Sequence, residues 1–252
     1  LVTGRLPGLT PEQVGSLTSR AGGNPRFLDE IVRVALDPRN RGMFEGRNST
    51  NAMTDAGLES LLAKSVKLHD VVAERFASSP EEVQRAVTLA GLQGARFVRS
   101  LVADTMRALD AESGAVDPEG AGETVGVALE EAERRHAFLA SLTEFEGEFS
   151  QRIYLDVAKE FLPAFYDEDA VGAGLRRVVS DVLTGVTTPE FDTSSLTRLW
   201  QLGVTLFETS DDVEERRYAA HCLHLLSRAM RESGELQVAY ATALRQAAVL
   251  ER

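Results

Sequence analysis

From Thr10 onward the apolar residues of this chain recur at helical spacing between signals that start and stop helices, a pattern that leaves room for little besides a mainly α fold. Thr10-Pro11-Glu12-Gln13 is a helix start: Thr10 can cap, Pro11 suits the first helical position and Gln13 closes a capping box. Val14, Leu17 and Ala21 then share a face, and Gly22-Gly23-Asn24-Pro25 stops the helix. A second helix carries Phe27, Leu28, Ile31, Val34 and Ala35 and ends before Asp37-Pro38. Residues 38–52 have no period and read as a loop. Leu58 to Phe76 is helical with a break near Lys64.

Ser79-Pro80-Glu81-Glu82 reads as another capping box, followed by Val83, Ala86, Val87 and Ala90 at core-face spacing. Gly91-Leu92-Gln93-Gly94 predicts a turn into a third helix bearing Val98, Leu101, Val102, Met106 and Leu109, a helix-turn-helix skeleton. Residues 110–125 are acidic and glycine-rich, hence a connection. Helix resumes over Val127–Leu139. Leu142, Phe145 and Phe149 flank Gly147 and predict a short β-hairpin turning at Glu146-Gly147. Three helices followed by a hairpin is the winged-helix order. After a helix at Arg152–Phe161 the chain is helical to its end, over Leu175–Leu183, Leu196–Glu208, Val213–Ser233 and Leu236–Glu251, with Asp211 and Glu214 capping the third of these. Three divisions are expected: 1–57, 58–163 and 164–252.

Charge narrows the partners. The 252 residues carry a formal net charge of −12, the wrong sign for a general phosphate-backbone binder. Cys222 is the single cysteine, so no disulfide can close within the chain and a reducing, cytoplasmic setting is expected. No apolar run reaches membrane-spanning length. The chain opens on Leu1 in a domain-like segment, as expected of a piece of a longer protein.

Three segments resemble the STAND signal-transduction ATPases, which follow a nucleotide-binding core with a helical lid, a winged helix and a helical-repeat sensor. Ser19 to Ile31 (SRAGGNPRFLDEI) resembles the lid, with Gly23-Asn24-Pro25 as its glycine-any-proline element; the resemblance implies that these residues face the bound nucleotide, where a glycine turn allows close approach and proline offers a stiff ledge. Asp70–Phe76 with Ser78–Gln84 is similar to the opening of the family's winged helix. Gly147–Ala158 is similar to its end, with Gln151 where family members have a nucleotide-reporting histidine; glutamine can donate a hydrogen bond but carries no charge. The last helices resemble tetratricopeptide (TPR) repeats: Leu223, Leu226 and Ser227 fit a first helix, Gly234, Ala239 and Ala243 the turn and second helix, with Leu236 in place of an aromatic. The resemblance implies a helical lid (1–57), a winged helix with a short β-hairpin (58–163) and TPR-like antiparallel helices (164–252). It implies ATP or ADP in the full-length protein and none held by this piece. The implied partners are the protein's own N-terminal nucleotide-binding domain and a protein on the C-terminal helices, with self-association of the full-length protein compatible.

No GxxxxGK[ST] loop is present, so no phosphate cradle and no catalytic residue is assigned. His221 and His224 share a helical face but lack the further ligands a soft-metal site needs; His69, His136 and Asp167-Glu168-Asp169 read as structural, and no metal residue is assigned. Arg96, Arg99 and Arg107 could face a DNA groove, but Glu144, Glu146 and Glu148 at the wing would repel phosphate. Trp200 reads as core. The functional expectation is a regulatory or sensor part, not an enzyme, controlling signalling or transcription through protein contacts; the alternatives are a nucleic-acid-binding winged helix of an origin-recognition-like ATPase and a plain repeat scaffold.

Overall fold

The computed structural model describes residues 5–6, 8–21, 24–45, 52–64, 68–112 and 120–251. It is mainly helical and divides into two units, residues up to Ser79 and residues from Pro80 on.

In the first unit, α1 (Pro11–Arg20) begins with the expected capping box: the Gln13 amide donates to Thr10 Oγ1 at 3.2 Å, and the Thr10 amide donates to Gln13 Oε1 at 3.1 Å. The Gln13 side chain also donates to the Met53 carbonyl at 2.9 Å, so one buried amide serves as both cap and tether. α2 (Pro25–Leu36) is capped by Asn24. A 3-10 turn (Pro38–Met43) and two-residue strands β1 (Phe44–Glu45) and β2 (Ala52–Met53), paired antiparallel, occupy part of the segment expected to be loop. α3 (Asp55–Lys64) and α4 (Leu68–Ala77) complete the unit, and the break expected near Lys64 falls at 65–67, outside the described residues. Its core gathers Leu17, Ile31, Val32, Val34, Met53, Leu61 and Val71. Because α4 lays Val71 into this core and pairs Arg75 with Glu30 of α2, residues 58–79 belong to this unit; the structural boundary is at 79/80, not at 57/58. Glu30 and Arg75 are only 1% and 6% exposed.

The second unit opens with α5 (Glu81–Gln93), β3 (Arg96–Val98), α6 (Arg99–Glu112), α7 (Gly120–Arg134), β4 (Leu139–Ser141), β5 (Glu146–Phe149) and α8 (Arg152–Glu160). The strands form one antiparallel sheet in the order β3-β5-β4, with Phe97 opposite Gly147 and Leu139 opposite Phe149. Helix, strand, helix, helix, hairpin, with the first strand on the hairpin's second arm, is winged-helix topology. Four local expectations are corrected. The N-cap position of α5 belongs to Pro80, which makes no side-chain cap bond, and the Ser79 hydroxyl donates back to the Phe76 carbonyl. Residues 96–98 are a strand, not the start of a helix. α7 stops at Arg134. The hairpin turns at 142–145, placing Gly147 in the central strand, where a Cβ would lie 2.4 Å from Phe97 Cζ. The glycine is there to admit an aromatic ring.

After a short α9 (Leu162–Phe165) come α10 (Glu168–Leu183), α11 (Thr193–Phe207), α12 (Val213–Glu232) and α13 (Leu236–Leu250). Asp167, Asp192 and Asp212 cap α10, α11 and α12 through their side chains. The cap of α12 is thus Asp212, one residue beyond the expected Asp211, whose carbonyl instead accepts from Arg216. A single core runs from Val98, Leu101 and Ala108 of the winged helix through Leu175, Val179, Leu199 and Phe207 to Leu223, Leu226 and Val249; half-buried Trp200 packs against it. The line drawn at 163/164 therefore falls inside one compact unit.

Cys222 sits where α12 crosses α11 at Gly203; a Cβ on that glycine would come within 2.7 Å of the Cys222 sulfur. Burial pushes the thiol pKa up to about 12, so almost no thiolate, the reactive form, exists near neutrality. The folded chain is expected to resist iodoacetamide at pH 8 and to gain one adduct by mass once unfolded. Labelling of the folded chain at a free-thiol rate would show that the α11–α12 contact opens. Among the described residues no helix is long and apolar enough to cross a membrane, and no three metal-ligating side chains are grouped.

Candidate functional site

Of the residues assigned to nucleotide contact, Gly23 lies outside the described residues. Asn24 is the N-cap of α2: its Oδ1 accepts from the Arg26 and Phe27 amides at 3.0 and 3.3 Å. Pro25 occupies the first helical turn, where its missing N–H costs nothing. Asn24, Pro25 and Arg26 are all exposed. Asn followed by Pro was a legible capping signal, which the sequence argument used only to stop the preceding helix. Gln151 belongs to the second unit, is half-buried, holds the N-cap position of α8 in extended backbone and makes no side-chain cap bond. The structure thus brings Asn24 and Pro25 together and puts Gln151 in the other unit.

In a winged helix the second helix of the helix-turn-helix pair is the one that enters a DNA groove. Here that helix is α7, whose final turns carry Glu130, Glu131 and Glu133. The arginines that could have met phosphate are otherwise engaged. Arg99 pairs with Glu133 of α7, with both side chains less than a fifth exposed, and Arg96 lies 3.1 Å from Glu148 across the sheet. Arg107 lies 2.6 Å from Asp104. Burial raises the Asp104 carboxyl above its ordinary range against the opposing pull of Arg107. Arg96 is on β3, so the three arginines form no row along one helix. Between the start of α5 and α7 runs an open groove of about 530 Å³, floored by Pro80, Val83, Val127 and Ala128 and edged by Glu82 and Glu131. It offers apolar floor and negative rim, the reverse of a phosphate channel.

The wing, for its part, is fastened to the helical tail. Glu146 is 2% exposed and accepts from the Ser194 hydroxyl at 3.1 Å, which seats a carboxylate at the positive N-terminus of α11. Asp192, the cap of that helix, is held below the ordinary carboxylate range by the Ser195 amide first and its hydroxyl next, with the wing's Thr143 hydroxyl contributing. Sequence reasoning counted Glu146 among the repulsive wing charges; the structure uses it as a latch, and its 48-residue separation from Ser194 gives no local signal. His221 and His224 are exposed on α12, and Asp167 to Asp169 form a helix start. No family model, curated protein or solved structure matches this chain.

Proposed function

We propose that this chain is the regulatory part of a STAND-type ATPase, in which a lid, a winged helix and a TPR-like tail act through contacts with proteins. The observation that carries this reading is the charge of the winged helix: α7 and the wing are acidic, and the arginines beside them are bound to carboxylates. Such a surface suits protein and repels phosphate. In this reading hydrolysis belongs to the nucleotide-binding core, and ATP or ADP is met by Gly23, Asn24 and Pro25, with Gln151 as a second contact. The exposure of Asn24 and Pro25 supports a ledge open to a neighbouring domain.

The test uses the protein that contains the nucleotide-binding core. Pro25→Ala should speed release of bound ADP about fivefold or more, the loss of one apolar contact, while about 10 µM protein should leave the anisotropy of labelled duplex DNA unchanged at low salt. Unaltered ADP retention would count against the reading. Salt-sensitive duplex binding abolished by Arg96→Glu with Arg99→Glu would favour the origin-recognition-like alternative.

A further inference from the structure

α12 and α13 form a hairpin closed by Ser233, Gly234 and Glu235, with Gly234 at φ +86°. Both helices touch α11 on the same side of that hairpin. α12 does so where Cys222 meets Gly203; α13 does so at the end of α11, where Arg245 pairs with its C-cap Glu208, and Val249 joins the shared core. The sides facing away from α11 are consequently neighbours on one open face.

The two helices bring different chemistry to that face. α12 contributes Arg217, His221, His224, Arg228 and Arg231, all exposed and spaced by alternating steps of four and three, which aligns them in one row. A groove of about 410 Å³ runs along His224, Arg228, Arg231 and Glu232. Arg217 pairs with Glu214 and Arg228 with Glu232, but all four side chains are more than 60% exposed. Pairs of that kind are worth little, and their guanidinium groups remain open to a better partner. α13 contributes Leu236, Tyr240, Ala243, Leu244 and Ala247 in a parallel row, with Leu236, Tyr240 and Leu244 at 65%, 68% and 55% exposure. In a chain of net charge −12, a cationic row beside an apolar row is a pattern that calls for a matching occupant.

From this we infer that the open face of the α12–α13 hairpin binds an amphipathic α-helix of a partner protein, its apolar stripe on α13 and a flank of Asp or Glu on α12. A second copy of this chain fits worse: a two-fold contact would set the cationic row against itself or bury it on leucine and tyrosine. A further repeat helix with an ordinary apolar face would leave the same cations without carboxylates. Nucleic acid would gain nothing from the apolar row and would meet Glu214 and Glu232 along the edge of the cationic one. The inference rests on the reading of the tail as a protein-contact surface and names the class of partner.

The probe is a fluorescein-labelled synthetic helix of about 18 residues, with leucines at i, i+4, i+7 and i+11 and glutamates flanking them. Anisotropy with the whole chain should report saturable binding that weakens between low and moderate salt. Arg228→Glu with Arg231→Glu should cost about tenfold or more, and Tyr240→Ser with Leu244→Ser a similar factor, with unchanged far-UV circular dichroism. A lysine-for-glutamate version of the peptide should ignore the native chain and bind the Arg228→Glu, Arg231→Glu variant. Absence of binding, equal binding of both peptides, indifference to both double substitutions, or preferential binding of a duplex DNA of similar length would overturn the proposal. So would sedimentation showing that the same residues hold a dimer that excludes the peptide. Any of these results beside an intact Pro25→Ala effect removes the acidic-helix partner and leaves the ATPase reading in place.

Discussion

Replacing Glu30 by alanine is expected to unfold the first unit at temperatures where the second remains folded. Glu30 and Arg75 face each other from α2 and α4 with almost no exposure, and Arg33 approaches the same carboxylate at 3.9 Å. Deleting the carboxylate breaks a nearly buried ion pair by removing one of its members, which costs about 3–5 kcal/mol. For a unit ending at Ser79, total stability is on the order of 4–12 kcal/mol, so the loss takes much of it. Limited proteolysis followed by mass spectrometry should find new cuts confined to the part before Ser79. The double replacement Glu30→Met, Arg75→Met removes both charges while keeping volume and should recover most of the resistance. A Glu30→Ala chain within about 1 kcal/mol of the native one would mean that water reaches the pair and that its enclosure is not what holds α2 to α4.

The second large effect is expected at Gly147. The Phe97 ring, fully buried, lies across this residue, and an added methyl carbon would fall 2.4, 2.9 and 3.0 Å from three of its atoms. Phe97 cannot easily yield, because it also meets Phe149 edge-on at 6.1 Å between ring centres and stands on a three-residue strand. Overpacking at such a point costs about 1–3 kcal/mol, and each kcal/mol lowers the melting temperature of a unit this size by about 2–4 °C. Gly147→Ala should therefore melt several degrees early in scanning calorimetry, and adding Phe97→Leu should return part of the difference. An alanine variant with native melting behaviour would show that the sheet can shift to accommodate the methyl group.

The same glycine shows what could be learned without coordinates. A glycine beside alternating apolar residues signals a turn, and the sequence therefore predicts one at Glu146-Gly147. A sequence cannot tell a glycine that supplies a special backbone angle from one that makes room for a ring on another strand. Residues 96–98 read as helix for a related reason: three residues are too few to show a period, and their strand partner among the described residues lies some fifty positions away. The Glu30–Arg75 and Glu146–Ser194 contacts, 45 and 48 residues apart, are likewise invisible to local rules. Local chemistry fared well where it sufficed. The Thr10–Gln13 box closes as expected, and the last two helices open at Val213 and Leu236 as their sequence predicts. Of the residues proposed to meet a nucleotide, Asn24 and Pro25 are legible as a helix start, and the expected divisions already set Gln151 apart from them.

The continuous interior that joins Val98, Leu101 and Ala108 to Leu175, Leu199 and Leu226 has a consequence for how such a protein can change over time. Swapping the C-terminal helices for others would strip the underside of the winged helix of its cover, so the two must be inherited, transplanted or redesigned together. A displacement of the far helices has no slack joint to cross before it reaches the wing.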